Sequence, residues 1–217
     1  MEFAACKACN EATRDDELVA ATLVRLWPDV PETEEEQFRK LAASAEARNP
    51  GLLQELEPSL RQSKEVRRVL SSLGEKGHAV NLSGPVVGNA MERFAAKLGY
   101  ALHYELTGEI ISRDGGTRGQ FFTNVEVANG ALPEGLVSHV GEPMTLVQGA
   151  WNVGEQFRYR IATTADKGAS IALVSFRQSI SVVTFASQDA ARLKTPDGSS
   201  GLILPGQWKK NPKEDAP

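Results

Sequence analysis

Along the first half of the chain apolar residues return at every third or fourth position; beyond Gly108 they return at every second position or in short unbroken runs. That change of period predicts helices first and a sheet second. A first helix is expected to start between residues 13 and 16, where Asp15, Asp16 and Glu17 would face the positive N-terminal end, with Val19, Leu23, Leu26 and Trp27 as its buried stripe. Pro28 and Pro31 break the pattern. Thr33 with Glu36 then reads as a capping box opening a helix that turns Phe38, Leu41 and Ala45 inward, until Asn49, Pro50 and Gly51 end it. A shorter helical stretch carries Leu52, Leu53, Leu56 and Leu60, and a basic one follows with Val66, Val69, Leu70 and Leu73. Residues 74–78 read as a loop. Pro85 suits a first helical position and opens the longest helix, whose inward face is Val87, Met91, Phe94, Leu98, Ala101 and Leu102.

Strand-like runs follow at 120–127, 144–151, 156–163, 170–176 and 180–186. The breaks Asn152-Val153-Gly154, Asp166-Lys167-Gly168 and Arg177-Gln178-Ser179 fall between the last four runs, and connections so short join only antiparallel neighbours. The expected fold is therefore α+β: an N-terminal helical half followed by a C-terminal antiparallel β meander packed on a long central helix. Phe157, Tyr159 and Ile161 would face that helix, with Arg158 and Arg160 on the other side of the strand. In domain terms, residues 1–14 form a Cys-x-x-Cys turn, 15–107 a helical region and 108–190 a sheet region packed with the helices. Residues 191–217 form an extended tail whose polar end, 209–217, is expected to be disordered.

Length adds one constraint: 217 residues can bury a continuous core without covalent staples. No run approaches the ~18 apolar residues of a membrane span, and the first residues lack the blocks of a signal peptide, so a cytoplasmic setting is expected. A formal charge of −4 speaks against a protein held on nucleic acid by bulk charge, which leaves local patches as the electrostatic route. Arg61, Lys64, Arg67 and Arg68 fall mostly on one helical face, and Arg158, Arg160 and Arg177 would add basic character to the sheet. Solvated helix surface accounts for the same pattern.

Cys6 and Cys9, the only cysteines, stand in one C-x-x-C. The spacing lets two thiolates converge on one ion, as in half of a tetrahedral zinc site, but four ligands are required and no other Cys is present. A redox dithiol expects a preceding strand, for which five residues leave no room. Two reduced cysteines without a role, or two copies pairing their turns across a dimer axis, are the remaining readings. The three histidines, His78, His103 and His139, are scattered, and no G-x-S-x-G accompanies them, so a serine hydrolase is unsupported. The Gly-rich stretch 114–119 precedes a strand and not a helix; it reads as a flexible loop and not a phosphate cradle. Tyr100, His103, Tyr104, Phe157 and Tyr159 are candidates to line a small-molecule pocket between the long helix and the sheet, although core packing uses the same spacing.

The segment Ala5-Cys6-Lys7-Ala8-Cys9-Asn10-Glu11-Ala12-Thr13-Arg14-Asp15-Asp16-Glu17 resembles the closing segment of HNH-endonuclease-like bacterial proteins. Residues 97–108 look like their helix-to-sheet junction, and Phe157-Arg158-Tyr159-Arg160 with the hairpin after it looks like their C-terminal sheet. The resemblance implies Cys6 and Cys9 as zinc ligands and Asn10 as a brace of the turn. It also implies an earlier C-x-x-C and a catalytic histidine pair, which this sequence lacks; a late start or a truncation of an ancestral HNH-like gene would account for that. No catalytic residue carries over, so the chain as it stands is expected not to cleave DNA. The resulting expectation is a non-catalytic accessory or binding domain associated with nucleic acid. Two alternatives remain: a metal-dependent nuclease completed by homodimerisation or by upstream sequence, and a small-molecule binding protein.

Overall fold

The computed structural model describes residues 7–26, 32–57, 80–145, 147–148, 151–152, 156–177, 179–194 and 201–208. Helix α1 (Lys7–Leu23) begins well ahead of the expected 13–16. Thr13 does not cap it: its hydroxyl donates to the Cys9 carbonyl four residues back at 3.1 Å, the bond of a threonine inside a helix. Val19 and Leu23 are buried as expected, while Trp27 lies outside the described residues. Helix α2 (Glu32–Arg48) turns Ala42 and Ala45 into the core; Phe38 and Leu41 are half-buried. Glu36 pairs with Lys40 one turn on at 2.7 Å, and the Thr33 side chain expected to cap the helix lies outside the described residues. The short α3 (Leu52–Leu56) follows Gly51, which adopts φ 91°.

Helix α4 (Pro85–Thr107) is the long central element. Its start is closed from outside: the Glu55 carboxylate, carried by α3, accepts from the Val86 N–H at 2.9 Å and from the Val87 N–H at 3.0 Å. A carboxylate there satisfies two amides that the helix cannot and meets the positive end of its dipole. The C-terminus is a left-handed cap, with Gly108 at φ 73° and its N–H donating to the Tyr104 carbonyl at 2.8 Å.

The sheet comprises β1 (Gly116–Thr123), β2 (Met144–Thr145), β5 (Phe157–Thr163), β6 (Ala169–Phe176), β7 (Ile180–Ser187) and β8 (Leu202–Ile203), in the order β2-β5-β6-β7-β1-β8. All its pairings are antiparallel. The expected meander is present as the successive hairpins β5–β6–β7, turning at the anticipated breaks. Three details differ from the sequence reading. The run 120–127 is a strand only to Thr123, where a capping box stops it: the Glu126 N–H donates to Thr123 Oγ1 and the Thr123 N–H to the Glu126 carboxylate, opening α5 (Asn124–Ala128). The run 144–151 splits into β2, which pairs with β5 at two residues, and a separate ribbon of β3 (Val147–Gln148) and β4 (Trp151–Asn152). The supposed tail contributes a short 3-10 turn (Ala190–Leu193) and β8, which pairs with β1; residues 209–217 lie outside the description.

The glycines of 114–119 also have another reason. Gly116 and Gly119 belong to β1, and a Cβ at Gly115 would overlap the Ser187 carbonyl, while one at Gly119 would overlap Ala95 on α4. They permit close packing, not flexibility. On the sheet face toward α1 and α4, register aligns Tyr159, Val174, Val182 and Phe121 in one row. The opposite face is also covered: Phe122, Leu173 and Val183 cluster with Leu136 of α6 (Leu136–His139) and with Val140.

The α4–sheet interface is close because its contact residues are small. Gly99 lies over Thr184, whose Oγ1 a Cβ would overlap, and Thr117 Oγ1 donates to the Ala96 carbonyl at 2.9 Å. Substituting Gly99→Ala gains about 1 kcal/mol of helix propensity but should lose ~1–3 kcal/mol to overpacking. A net loss in urea denaturation, partly recovered in the Gly99→Ala, Thr184→Ala double variant, is the expected outcome; an unchanged or raised midpoint for the single variant would contradict this packing.

Candidate functional site

Because α1 starts at Lys7, the acidic triplet lies near the middle of the helix and not at its first turn. Successive helical residues point about 100° apart, so three consecutive carboxylates fan toward different neighbours. Asp15 meets Arg48 of α2 at 3.1 Å; Asp16 meets Arg93 of α4 at 2.5 Å; Glu17 pairs with Lys97 of α4. Lys97 also donates to Asn10 Oδ1 at 3.0 Å and to Thr13 Oγ1 at 2.9 Å. Asn10, the residue that the resemblance would use to brace a thiol turn, instead helps fasten α1 to α4.

Asp16 is fully buried, and its Oδ2 has no hydrogen-bond partner among the described residues. Burial raises its carboxyl to about 6; Arg93 opposes the shift through its charge and hydrogen bond, and Asp15 and Glu17 reinforce it. Cys9 is half-buried in the first turn of α1, and its charge would add to the upward shift of Tyr100. Tyr100 titrates well above its ordinary range, chiefly because of burial, and donates to the Ile203 carbonyl at 2.7 Å. Cys6 lies outside the described residues. Among those described, no group of three or more His, Cys, Asp or Glu is placed to hold a metal ion, whereas a tetrahedral site needs four ligands.

His103 is wholly buried between α4 and the sheet. Its Nδ1 lies 3.0 Å from Ser170 Oγ, and Nε2 has no partner among the described residues. Burial lowers its titration below the usual range, against a weaker pull from Glu109. A Ser–His pair within hydrogen-bond reach is a hydrolase arrangement only where substrate can approach, and here both residues belong to a helix–sheet interface. His139 lies on the opposite side of the sheet, its Nδ1 2.6 Å from the Gly135 carbonyl.

The five candidate pocket residues disperse along α4 and β5. Phe157 and Tyr159 touch with ring centroids 5.7 Å apart, and Phe157 stacks edge-on against Phe176 at 5.2 Å. Burial raises the Tyr159 hydroxyl, as does the facing Glu105. Tyr100 turns to the β8 side, His103 to Ser170, and Tyr104 is exposed. Of the basic candidates, Arg158 is exposed and Arg160 half-buried, with Nη1 donating to the Gly141 carbonyl at 3.0 Å. Arg61, Lys64, Arg67, Arg68 and His78 lie outside the described residues. Sequence reasoning missed the Arg93 and Lys97 partners of the triplet; their spacing of four on one face of the long helix was the available signal. In comparisons with protein-family models, curated proteins and solved structures, nothing matches this chain.

Asp16 and His103 give stability opposite dependences on pH. The folded protein holds the Asp16 proton more tightly than the unfolded chain, so that contribution is full below about 4, falls as pH rises to about 6 and is flat above. His103 is held neutral by the fold, so its contribution is full above its unfolded value and is lost as pH falls below about 6.5. Urea denaturation of Asp16→Asn between pH 4 and 7 should lack a downward slope worth on the order of 2 kcal/mol that the parent carries. His103→Gln should instead lack an upward one. Parallel stability curves for parent and Asp16→Asn would refute the burial effect.

Proposed function

We propose that this chain is a non-catalytic binding domain, of the HNH-like kind that its C-x-x-C segment resembles, with nucleic acid as the ligand class. One observation carries the non-catalytic half of this reading: the described groups that could serve a hydrolytic centre near the thiol segment are tied into packing. Asp16 is buried against Arg93, Glu17 is paired with Lys97, and His103 is enclosed beside Ser170. A general base must reach solvent or substrate to act, and Asp16 and His103 are shut away from both. Support for the ligand class is the cationic pair on β5, where Arg158 and Arg160 lie on the sheet face turned away from α4, with Arg158 exposed. Contacts of that kind bind the phosphate backbone without reading sequence, and they weaken steeply with salt.

Supercoiled plasmid incubated with the purified chain and magnesium, manganese or nickel should remain intact. A labelled duplex should bind with an affinity that falls as salt rises, and Arg158→Glu with Arg160→Glu should weaken it several-fold. Metal-dependent nicking lost on substituting one of the three histidines would overturn the non-catalytic reading. Duplex affinity indifferent to salt and to both arginines would remove nucleic acid as the ligand.

A further inference from the structure

Asn129-Gly130 is the one Asn-Gly pair in the chain, and it lies at the surface where α5 ends. The Gly130 N–H donates to the Val127 carbonyl at 3.0 Å and the Ala131 N–H to the Glu126 carbonyl at 2.9 Å, the paired bonds of a Schellman ending, with Gly130 at φ 77°. Residues 128–131 are all exposed, and the Asn129 carboxamide makes no hydrogen bond among the described residues. Little holds this turn shut. Helix α5 has five residues, none of them buried, and a helix so short has little stability of its own. Asp114-Gly115 could close the same kind of ring, but it is held fast: Gly115 is buried with its N–H donating to the Ser112 carbonyl at 3.0 Å, and the Asp114 carbonyl accepts from the Ala190 N–H at 2.8 Å. Asp197-Gly198 lies outside the described residues.

We infer that Asn129 is a site of self-modification, at which the chain's own backbone converts the carboxamide to an acid with water as co-reactant. Local opening of the α5 end frees the Gly130 N–H from the Val127 carbonyl. The Gly130 nitrogen, giving up its proton to solvent, then attacks Asn129 Cγ; the N–Cγ bond forms, the Cγ–Nδ2 bond breaks, and Nδ2 takes up a proton and leaves as ammonia. Gly130 has no Cβ to hinder that approach. Water next opens the five-membered imide. Cleavage of its bond to Cγ gives aspartate, while cleavage of its bond to the backbone carbonyl carbon leaves the main chain running through Cβ as isoaspartate. Either product sets a carboxylate at the negative end of a helix, and isoaspartate also lengthens the main chain inside the bonded turn. The chain just beyond carries Leu132 and Leu136 onto Phe122, Leu173 and Val183, so the change loosens the cover of the outer sheet face.

The test incubates the full folded chain in mildly alkaline buffer and follows its proteolytic peptides by mass spectrometry, with the same chain unfolded in urea as the reference. The peptide holding Asn129 should convert to two products with the mass of an acid in place of an amide, isoaspartate in excess of aspartate, while those holding Asn49 and Asn81 stay unchanged. Aged protein should also exchange its amides faster across residues 126–136. Thr123→Ala, which removes the cap that closes α5 at its other end, should speed the conversion several-fold in the folded state and leave the rate in urea unchanged. Asn129→Gln should abolish it. An Asn129 peptide that stays intact in the folded chain while it converts in urea, or that converts no faster than the other asparagines, would overturn the site; a folded-state rate indifferent to Thr123→Ala would overturn opening of α5 as its trigger.

Discussion

Everything in this fold is arranged around how closely one helix can approach one sheet. Backbone-to-backbone contact between α4 and β1–β7 requires that the helix offer Gly99 and Ala95 and that the strands offer Gly119, Thr117 and Thr184. Larger residues would lift the helix and open space along the entire interface, and interiors tolerate such voids poorly. Close seating also turns polar groups inward, and they are answered one by one. The Thr117 hydroxyl finds the Ala96 carbonyl, and His103 finds Ser170. The helix thus acts as a ruler against which the sheet is set on one side and α1 on the other.

The second joint, between α1 and α4, works by charge and not by apolar area alone. Asp16 with Arg93 and Glu17 with Lys97 hold two helices whose hydrophobic contacts, such as Val19 and Met91, are nondirectional by themselves. A buried ion pair is weak evidence of added stability, since desolvation opposes the attraction, but removing one partner leaves the other's charge stranded, as loss of Arg93 would leave that of the buried Asp16. Asp15 with Arg48 extends the same logic to α2 near the surface, where the contribution is small.

The class of fold was legible from period alone: the long helix from Pro85 to Gly108, its inward face and the three successive hairpin strands stand where spacing places them. Failures of the reading share a cause, in that a local signal was given its commonest meaning. Asp15, Asp16 and Glu17 look like a helix start, yet their partners are 33 to 80 residues away in sequence. The glycines near 116 look like a loop, yet they are small because α4 and β8 lie against them. Val125 and Val127 alternate like a strand, yet Thr123 and Glu126 close a helical cap in four residues. Chemistry was less legible than fold. His103 is indistinguishable in sequence from a solvent-facing base, and only its burial beside Ser170 assigns it to packing.

The place of β1 in the sheet has a consequence for the order in which the molecule is made. Its main partner, β7, aligns Gly116 with Ser187 and Thr123 with Ile180, so this central pairing joins stretches far apart along the polypeptide, whereas β5–β6 and β6–β7 close between near neighbours. Loop closure of that span is slow compared with local hairpins. On a ribosome, α4 and β1 emerge while their shared partner β7 is still unmade. The β5–β7 hairpins close locally, and β1 finds its place only against a strand made more than fifty residues later.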